Sequence, residues 1–215
     1  MQITQDNIMI LGIVLMSVSL HEFGHAKSAD AAGDMTPRSQ GRVTLNPLAH
    51  LDPLGTIMIV ITSLSGYGIG WGRPVMVSPH RMRNPKWDHF MSVLWGPLVN
   101  ILLAIVFALL FRFVASNVGE TFIWFCFYGV VINISLALFN LIPIGPLDGH
   151  WLLAALLPPR IGVAYGQWSR SSGMLVLLGV LFIDQFLLRS AGQPEILDTI
   201  LRKPAMFISA RLLGI

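Results

Sequence analysis

The stretch Ile8-Met9-Ile10-Leu11-Gly12-Ile13-Val14-Leu15-Met16-Ser17-Val18-Ser19-Leu20 runs directly into His21-Glu22-Phe23-Gly24-His25. Only Ser17 and Ser19 interrupt the first part with polar side chains, which reads as a helix bound for hydrocarbon. The second part is what such a helix should not carry. On a helix, positions i and i+4 share a face about one turn apart, so the imidazoles of His21 and His25 can grip one cation while Glu22 reaches a water beside it. Ionisable groups against hydrocarbon cost free energy unless they are paired, hydrated or bound to a cation. With 6 His and 3 Glu in 215 residues, the pattern should arise by chance roughly 2 times in 1000 such chains. A metal grip is favoured over two packed core histidines.

Composition supports the membrane reading. Hydrophobic residues make up 54% of the chain and charged residues 12%, with a mean hydropathy of +0.68, against roughly a quarter charged in soluble domains. The expected fold class is an all-α polytopic membrane protein of about four to six spans of roughly 20 residues. We expect one domain over 1–215, with a core at about 8–160 and a C-terminal span and interfacial tail at about 173–215. The first helix has no basic leader and ends in the histidine motif, so it reads as a retained span and not a signal peptide. Cys126 is the single cysteine and can form no intrachain disulfide. The net charge of +3 and pI near 9.4 report orientation in a membrane protein, and nucleic acid is not indicated.

Apolar segments lie at about 7–28, 54–70, 89–113, 121–143 and 173–188, with nearly all the charge between them. Gly55, Gly66, Gly68, Gly70 and Gly72 crowd the second, each weakening a helix by roughly 1 kcal/mol relative to Ala. At the end of the fourth, Asn140-Leu141-Ile142-Pro143-Ile144-Gly145-Pro146-Leu147-Asp148-Gly149-His150 breaks the helix with two prolines and two glycines. Irregular backbone at membrane depth is tolerated only inside protein or along a wet cavity, so the break marks a site. Asp148 is its only carboxylate. A hydrolytic zinc site needs three protein ligands and one open position, and Asp148 would supply the third ligand to His21 and His25.

The residues resemble the site-2 proteases, intramembrane zinc metalloproteases. The likeness is carried by His21–His25, by Gly41-Arg42-Val43-Thr44-Leu45-Asn46-Pro47 with Asp52-Pro53-Leu54-Gly55, by Gly70-Trp71-Gly72-Arg73-Pro74-Val75, by Gly96-Pro97-Leu98-Val99-Asn100, and by Asn140–Gly149. It is closest to the small bacterial and archaeal branch, without a PDZ-like or CBS-like domain. The resemblance implies one zinc ion held by His21, His25 and Asp148, Glu22 as catalytic base, and Asn140 holding the substrate carbonyl or its oxyanion. It implies a transmembrane protein as substrate, the lipid bilayer as surroundings and a prokaryotic cell membrane as location. His150 follows the Leu-Asp-Gly where many relatives carry a small or basic residue.

Topology constrains the same site. Asp148 and His25 can meet only if the first and fourth apolar segments run the same way, so one of the two between them must fail to cross. The glycine-rich one is expected to form a re-entrant or hairpin element near 54–77. Lys27, Arg38, Arg42, Arg73, Arg81, Arg83 and Lys86, 7 of the 14 basic residues, then share one side with Arg160 and Arg170. That side is expected to be cytoplasmic, placing the metal toward the cytoplasmic leaflet. Asn46, His50 and Asp52 are candidates to line a water route, and 66–77 to pair with an unwound substrate strand. His50, His80 and His89 read as interfacial hydrogen-bonding groups, and Trp71, Trp87, Trp151 and Trp168 as an aromatic belt. Gly96 and Asn100, four apart, read as a close helix contact and an interhelical hydrogen bond, with the site as the other option for Asn100. His150 is open between a group behind the ligands and an interfacial cap, and Asp184 has no assignable partner. A membrane metal-ion transporter and an inactive scaffold of the same fold are the alternative functions.

Overall fold

The computed structural model describes residues 4–65 and 71–215, apart from the side chains of 63–65 and 116. The protein is an all-α polytopic membrane protein. Among the described residues, four helices are long and apolar enough to span: Gln5–Ala31, Pro85–Ala115, Glu120–Asn140 and Pro159–Leu188.

Helix α1 (Gln5–Ala31) starts at a reciprocal cap, in which the Thr4 hydroxyl accepts from the Asn7 amide and the Asn7 side chain accepts from the Thr4 amide. It ends just before Gly33, whose φ of 108° suits only glycine. Its buried face is small, with Ser17, Gly24, Ala26 and Ala29, which lets another backbone come close. A Cβ on Gly24 would stand 2.9 Å from the Trp95 carbonyl oxygen. That carbonyl belongs to the second span, Pro85–Ala115.

Between these spans lies α2 (Pro53–Ser65). Its 13 residues reach about 20 Å, short of the roughly 30 Å of a bilayer core. Asp52 caps it by accepting from the Gly55 amide at 2.8 Å. The chain then returns to where it entered: the Trp71 carbonyl crowds the Cα of Gly55, and Gly72 bridges Leu51 in antiparallel fashion. Entry and exit at one level make this the expected re-entrant element. Gly66, Gly68 and Gly70 lie outside the described residues, as does the 66–70 part of the expected substrate-pairing segment.

Helix α3 (Pro85–Leu110, continued by a wide turn to Ala115) begins at the level where α1 ends, since the Arg83 amide donates to the Ala32 carbonyl at 3.1 Å. It packs between α1 and α4 (Glu120–Asn140). Thus α1 and α4 run in the same direction. Ala104, Phe107 and Ala108 of α3 meet Val130 and Ile134 of α4 in the main apolar core. After α4, the loop at 141–148 folds tightly enough that the Leu141 and Ile142 carbonyls press on Gly149. Gly149 opens the short helix α5 (Gly149–Leu156).

Helix α6 (Pro159–Phe182, continued by a wide turn to Leu188) starts earlier than the expected 173, because Pro159 supplies a ready first turn. It fastens to the preceding loop, with the Gly145 amide donating to Ser169 Oγ at 2.8 Å and the Tyr165 hydroxyl donating to the Pro143 carbonyl. Asp184 has partners after all. It is buried and accepts from the Ile196 and Leu197 amides at 2.7 Å each. That contact turns the chain back into α7 (Lys203–Leu213). The tail expected at the interface packs Ala205 and Leu213 into the core, with Ser209 buried between them. The i, i+4, i+8 spacing of those three residues puts them on one face. Arg112, at the far end of α3 from Pro85, donates to the Arg211 carbonyl at 3.0 Å, so α7 ends opposite the basic loops.

Candidate metal centre

His21 and His25 sit on the inner face of α1, with His21 about 15 Å along the axis from Ala31. They are positioned by α3. His25 Nδ1 lies 2.8 Å from the Ser92 carbonyl and His21 Nδ1 lies 2.7 Å from Asn100 Oδ1. Pro97 removes the amide that would otherwise pair with the Val93 carbonyl, one rung from Ser92. Gly96 is what admits the rings: any side chain there would strike the His25 ring and come within 2.7 Å of His21 Cε1.

With the Nδ1 atoms held this way, the two Nε2 atoms face each other at 3.0 Å, and Asp148 Oδ2 completes the triangle at 3.2 Å from His21 and 3.3 Å from His25. Among the described residues these three form the one cluster of three metal-capable side chains. A tetrahedral zinc with bonds of 2.0–2.1 Å has donor-to-donor edges of about 3.3 Å. Asp148 Oδ2 is buried and has no hydrogen-bond partner. The Ser92 carbonyl can only accept, so His25 Nδ1 carries a proton, and in the neutral ring Nε2 offers a lone pair. Two imidazole nitrogens converging on a buried, unpartnered carboxylate oxygen fit a bound cation.

Glu22 is anchored from the segment that follows α2. Its Oε2 accepts from the Val75 amide at 3.2 Å, and Gly72 lies against its side chain, where a Cβ would stand 3.2 Å from Cγ. The segment that carries Val75 is held by Arg42, a buried guanidinium that donates to the Ala49 carbonyl and, at 2.9 and 3.0 Å, to those of Arg73 and Pro74. The Arg73 amide adds a bond to the His50 carbonyl at 2.8 Å. Nothing in the spacing pointed to these roles of Arg42 and Val75, because backbone carbonyls and amides leave no trace in residue types.

The other expectations find their places. Asn140 ends α4 with its amide donating to the Leu136 carbonyl at 3.0 Å, and Asn100 is the carboxamide that touches a histidine. Asn46 caps a short turn through the Leu48 amide, Asp52 caps α2, and buried His50 holds the Thr44 carbonyl at 2.8 Å. Each of these side chains makes a local contact, and His50 Nδ1 is buried without a hydrogen-bond partner. His150 Nδ1 lies 2.5 Å from the Leu147 carbonyl, its ring is buried, and Nε2 has no partner. His89 stands edge-on to Trp151.

This fold and this donor set describe an integral membrane protein with a candidate cation site between its first spanning helix and the loop that follows its third. Comparison with known proteins agrees. The family described as Peptidase family M50 matches residues 114–182, the part that carries Asp148. A Bacillus subtilis protein described as "Putative zinc metalloprotease YwhC" is 36% identical over 177 residues, covering 79% of this chain and 78% of its own length. The Rip2 protein of Mycolicibacterium smegmatis, with the same description, is 32% identical, covering 81% of this chain and 66% of its own. Rip2 of Mycobacterium tuberculosis strain H37Rv is 30% identical, covering 82% and 67%. No solved structure gives a match. The chain belongs to peptidase family M50.

Proposed function

We propose that this protein is an intramembrane zinc endopeptidase that hydrolyses peptide bonds in or near the transmembrane segments of other membrane proteins. The observation that carries the reading is the 3.0 to 3.3 Å triangle of His21 Nε2, His25 Nε2 and Asp148 Oδ2 beside the carboxylate of Glu22. Those three side chains would hold one zinc ion, as a common set of two histidines and a carboxylate does. Zinc there would supply Lewis acidity, lowering the pKa of a water at its open position to about 7. Glu22 takes the proton of the attacking water at its carboxylate and delivers it to the leaving amine. The Val75 amide, donating to Oε2, keeps that carboxylate facing the site. Asn140 is proposed to turn from the Leu136 carbonyl toward the substrate carbonyl, a donor worth roughly 3 kcal/mol in other hydrolases.

A substrate helix satisfies its carbonyls internally and must unwind before cleavage. The run Arg73–Val77, fixed from behind by Arg42 and Glu22, is proposed to pair with the unwound strand. Nine of the 14 basic residues lie on the side of the α1–α3 connection, against Arg112, Arg189, Arg202, Lys203 and Arg211 on the other. The positive-inside rule then makes the metal side cytoplasmic, in a prokaryotic cell membrane. The test incubates detergent-purified protein with single-span peptides, with and without chelator, for the wild type and Glu22→Gln. Cleavage should need metal and vanish in Glu22→Gln while zinc content stays; cleavage that survives both chelator and substitution refutes the reading.

A further inference from the structure

Asn100 and Asn133 are fully buried, on the second and third spanning helices. Two carboxamides inside a bilayer-spanning bundle are costly unless every polar end is used. The two ends of a carboxamide are nearly the same size, so only its partners decide which is oxygen. Here the partners decide all of it. The Gly129 carbonyl can only accept, so the amino group of Asn133 faces it at 2.9 Å and Asn133 Oδ1 faces Asn100. Asn133 Oδ1 can only accept in turn, so the end of Asn100 that meets it at 3.0 Å is Nδ2, which also lies 3.5 Å from the Ser17 carbonyl. That leaves Asn100 Oδ1 toward His21 Nδ1 at 2.7 Å. An oxygen that can only accept requires a proton on Nδ1, and in the neutral, metal-binding ring the lone pair of His21 is then on Nε2, facing His25 and Asp148.

We propose that Asn100 and Asn133 are positioning residues that select the His21 tautomer able to bind the cation, through an ordered chain from the Gly129 carbonyl to the imidazole. This rests on the zinc site proposed above. His25 reaches the same state in one step from the Ser92 carbonyl. His21 has no backbone carbonyl at its Nδ1 and uses two side chains instead. A mere interhelical staple needs only the contact between Asn100 and Asn133; the last link, onto His21, is what an orienting role adds.

The test measures zinc affinity of the full detergent-purified chain by competition with a chromophoric chelator, alongside thermal stability of the metal-free protein. Asn100→Leu should weaken zinc binding by about 10- to 100-fold. Asn100→Asp keeps an acceptor toward His21 and should retain near-wild-type affinity while losing stability, because a carboxylate then faces Asn133 Oδ1. Asn133→Leu leaves His21 untouched but frees Asn100 to turn, so affinity should fall severalfold. If Asn100→Leu fails to fold, Asn133→Leu carries the test by itself. Wild-type zinc affinity in either leucine variant, with stability alone reduced, overturns the tautomer role and leaves the zinc site standing. A wild-type protein that binds no zinc overturns both.

Discussion

Gly96→Ala is the most demanding single perturbation of the centre. The new Cβ would stand 2.7 Å from His21 Cε1 and closer still to Cε1 and Nε2 of His25. Ordinary carbon contacts lie at about 3.5–4.0 Å, so both rings must retreat by about 1 Å or the helices must part by as much. Parting would break the contacts of His21 Nδ1 with Asn100 and of His25 Nδ1 with the Ser92 carbonyl across the two helices. Metal sites keep their bond lengths to within about 0.2 Å, several times less than the required shift. The expected loss is at least about 100-fold in zinc affinity, or about 2.7 kcal/mol. Overpacking should also lower metal-free stability by about 1–3 kcal/mol. Chelator competition gives the first quantity and a thermal melt the second. Gly12→Ala, with nothing within 4 Å of the new methyl, is the matched control and should leave zinc affinity unchanged while raising helix stability by up to about 1 kcal/mol. Near-wild-type zinc affinity in a folded Gly96→Ala protein would refute the claim that this glycine makes room for the ligand rings.

Arg42→Ala should leave three loop carbonyls without their donor and loosen the segment that holds Glu22, cutting kcat at least about tenfold while zinc affinity stays; Arg42→Lys should fall between, and unchanged kcat in the alanine variant would sink this role. Asp34 is fully buried, and although burial opposes its charge, hydrogen bonds from the Thr36 hydroxyl and amide and the Ser78 amide hold its pKa below the ordinary carboxylate value. A depressed folded pKa gives stability that is present above about 3.9 and lost as pH falls through the folded value. Asp34→Asn should therefore cost about 2 kcal/mol at pH 7, with the gap to wild type closing in acid melts below pH 4; a gap independent of pH would count against it. Asp184→Ala removes the acceptor for two amides at the start of the return toward α7, so limited proteolysis between 189 and 202 should accelerate and stability drop by about 3 kcal/mol with zinc affinity unchanged.

Residue order alone determined the membrane class, the pairing of His21 with His25 and the direction constraint that makes the second apolar segment turn back. Those follow from short-range regularities: hydrocarbon length, the helical repeat and the cost of charge in lipid. The nomination of Asp148 needed one step more, a helix break whose only carboxylate had no other reason to be there. What surrounds the donors was decided by the folded chain. Ser92 acts through a carbonyl, Val75 through an amide, and Arg42 through three backbone oxygens, all groups that every residue carries and that no pattern of side chains can reveal. The spacing of Asn100 left an interhelical contact and the site both open, and its approach to His21 exists only because Gly24 and Gly96 let two helices cross close enough for rings and amides to meet. Asp184 gained its meaning the same way, from amides 12 and 13 residues further along. The physical division is one of range: periodicity and solvation act along the chain, whereas orientation of a ligand depends on which backbone groups distant segments bring within 3 Å.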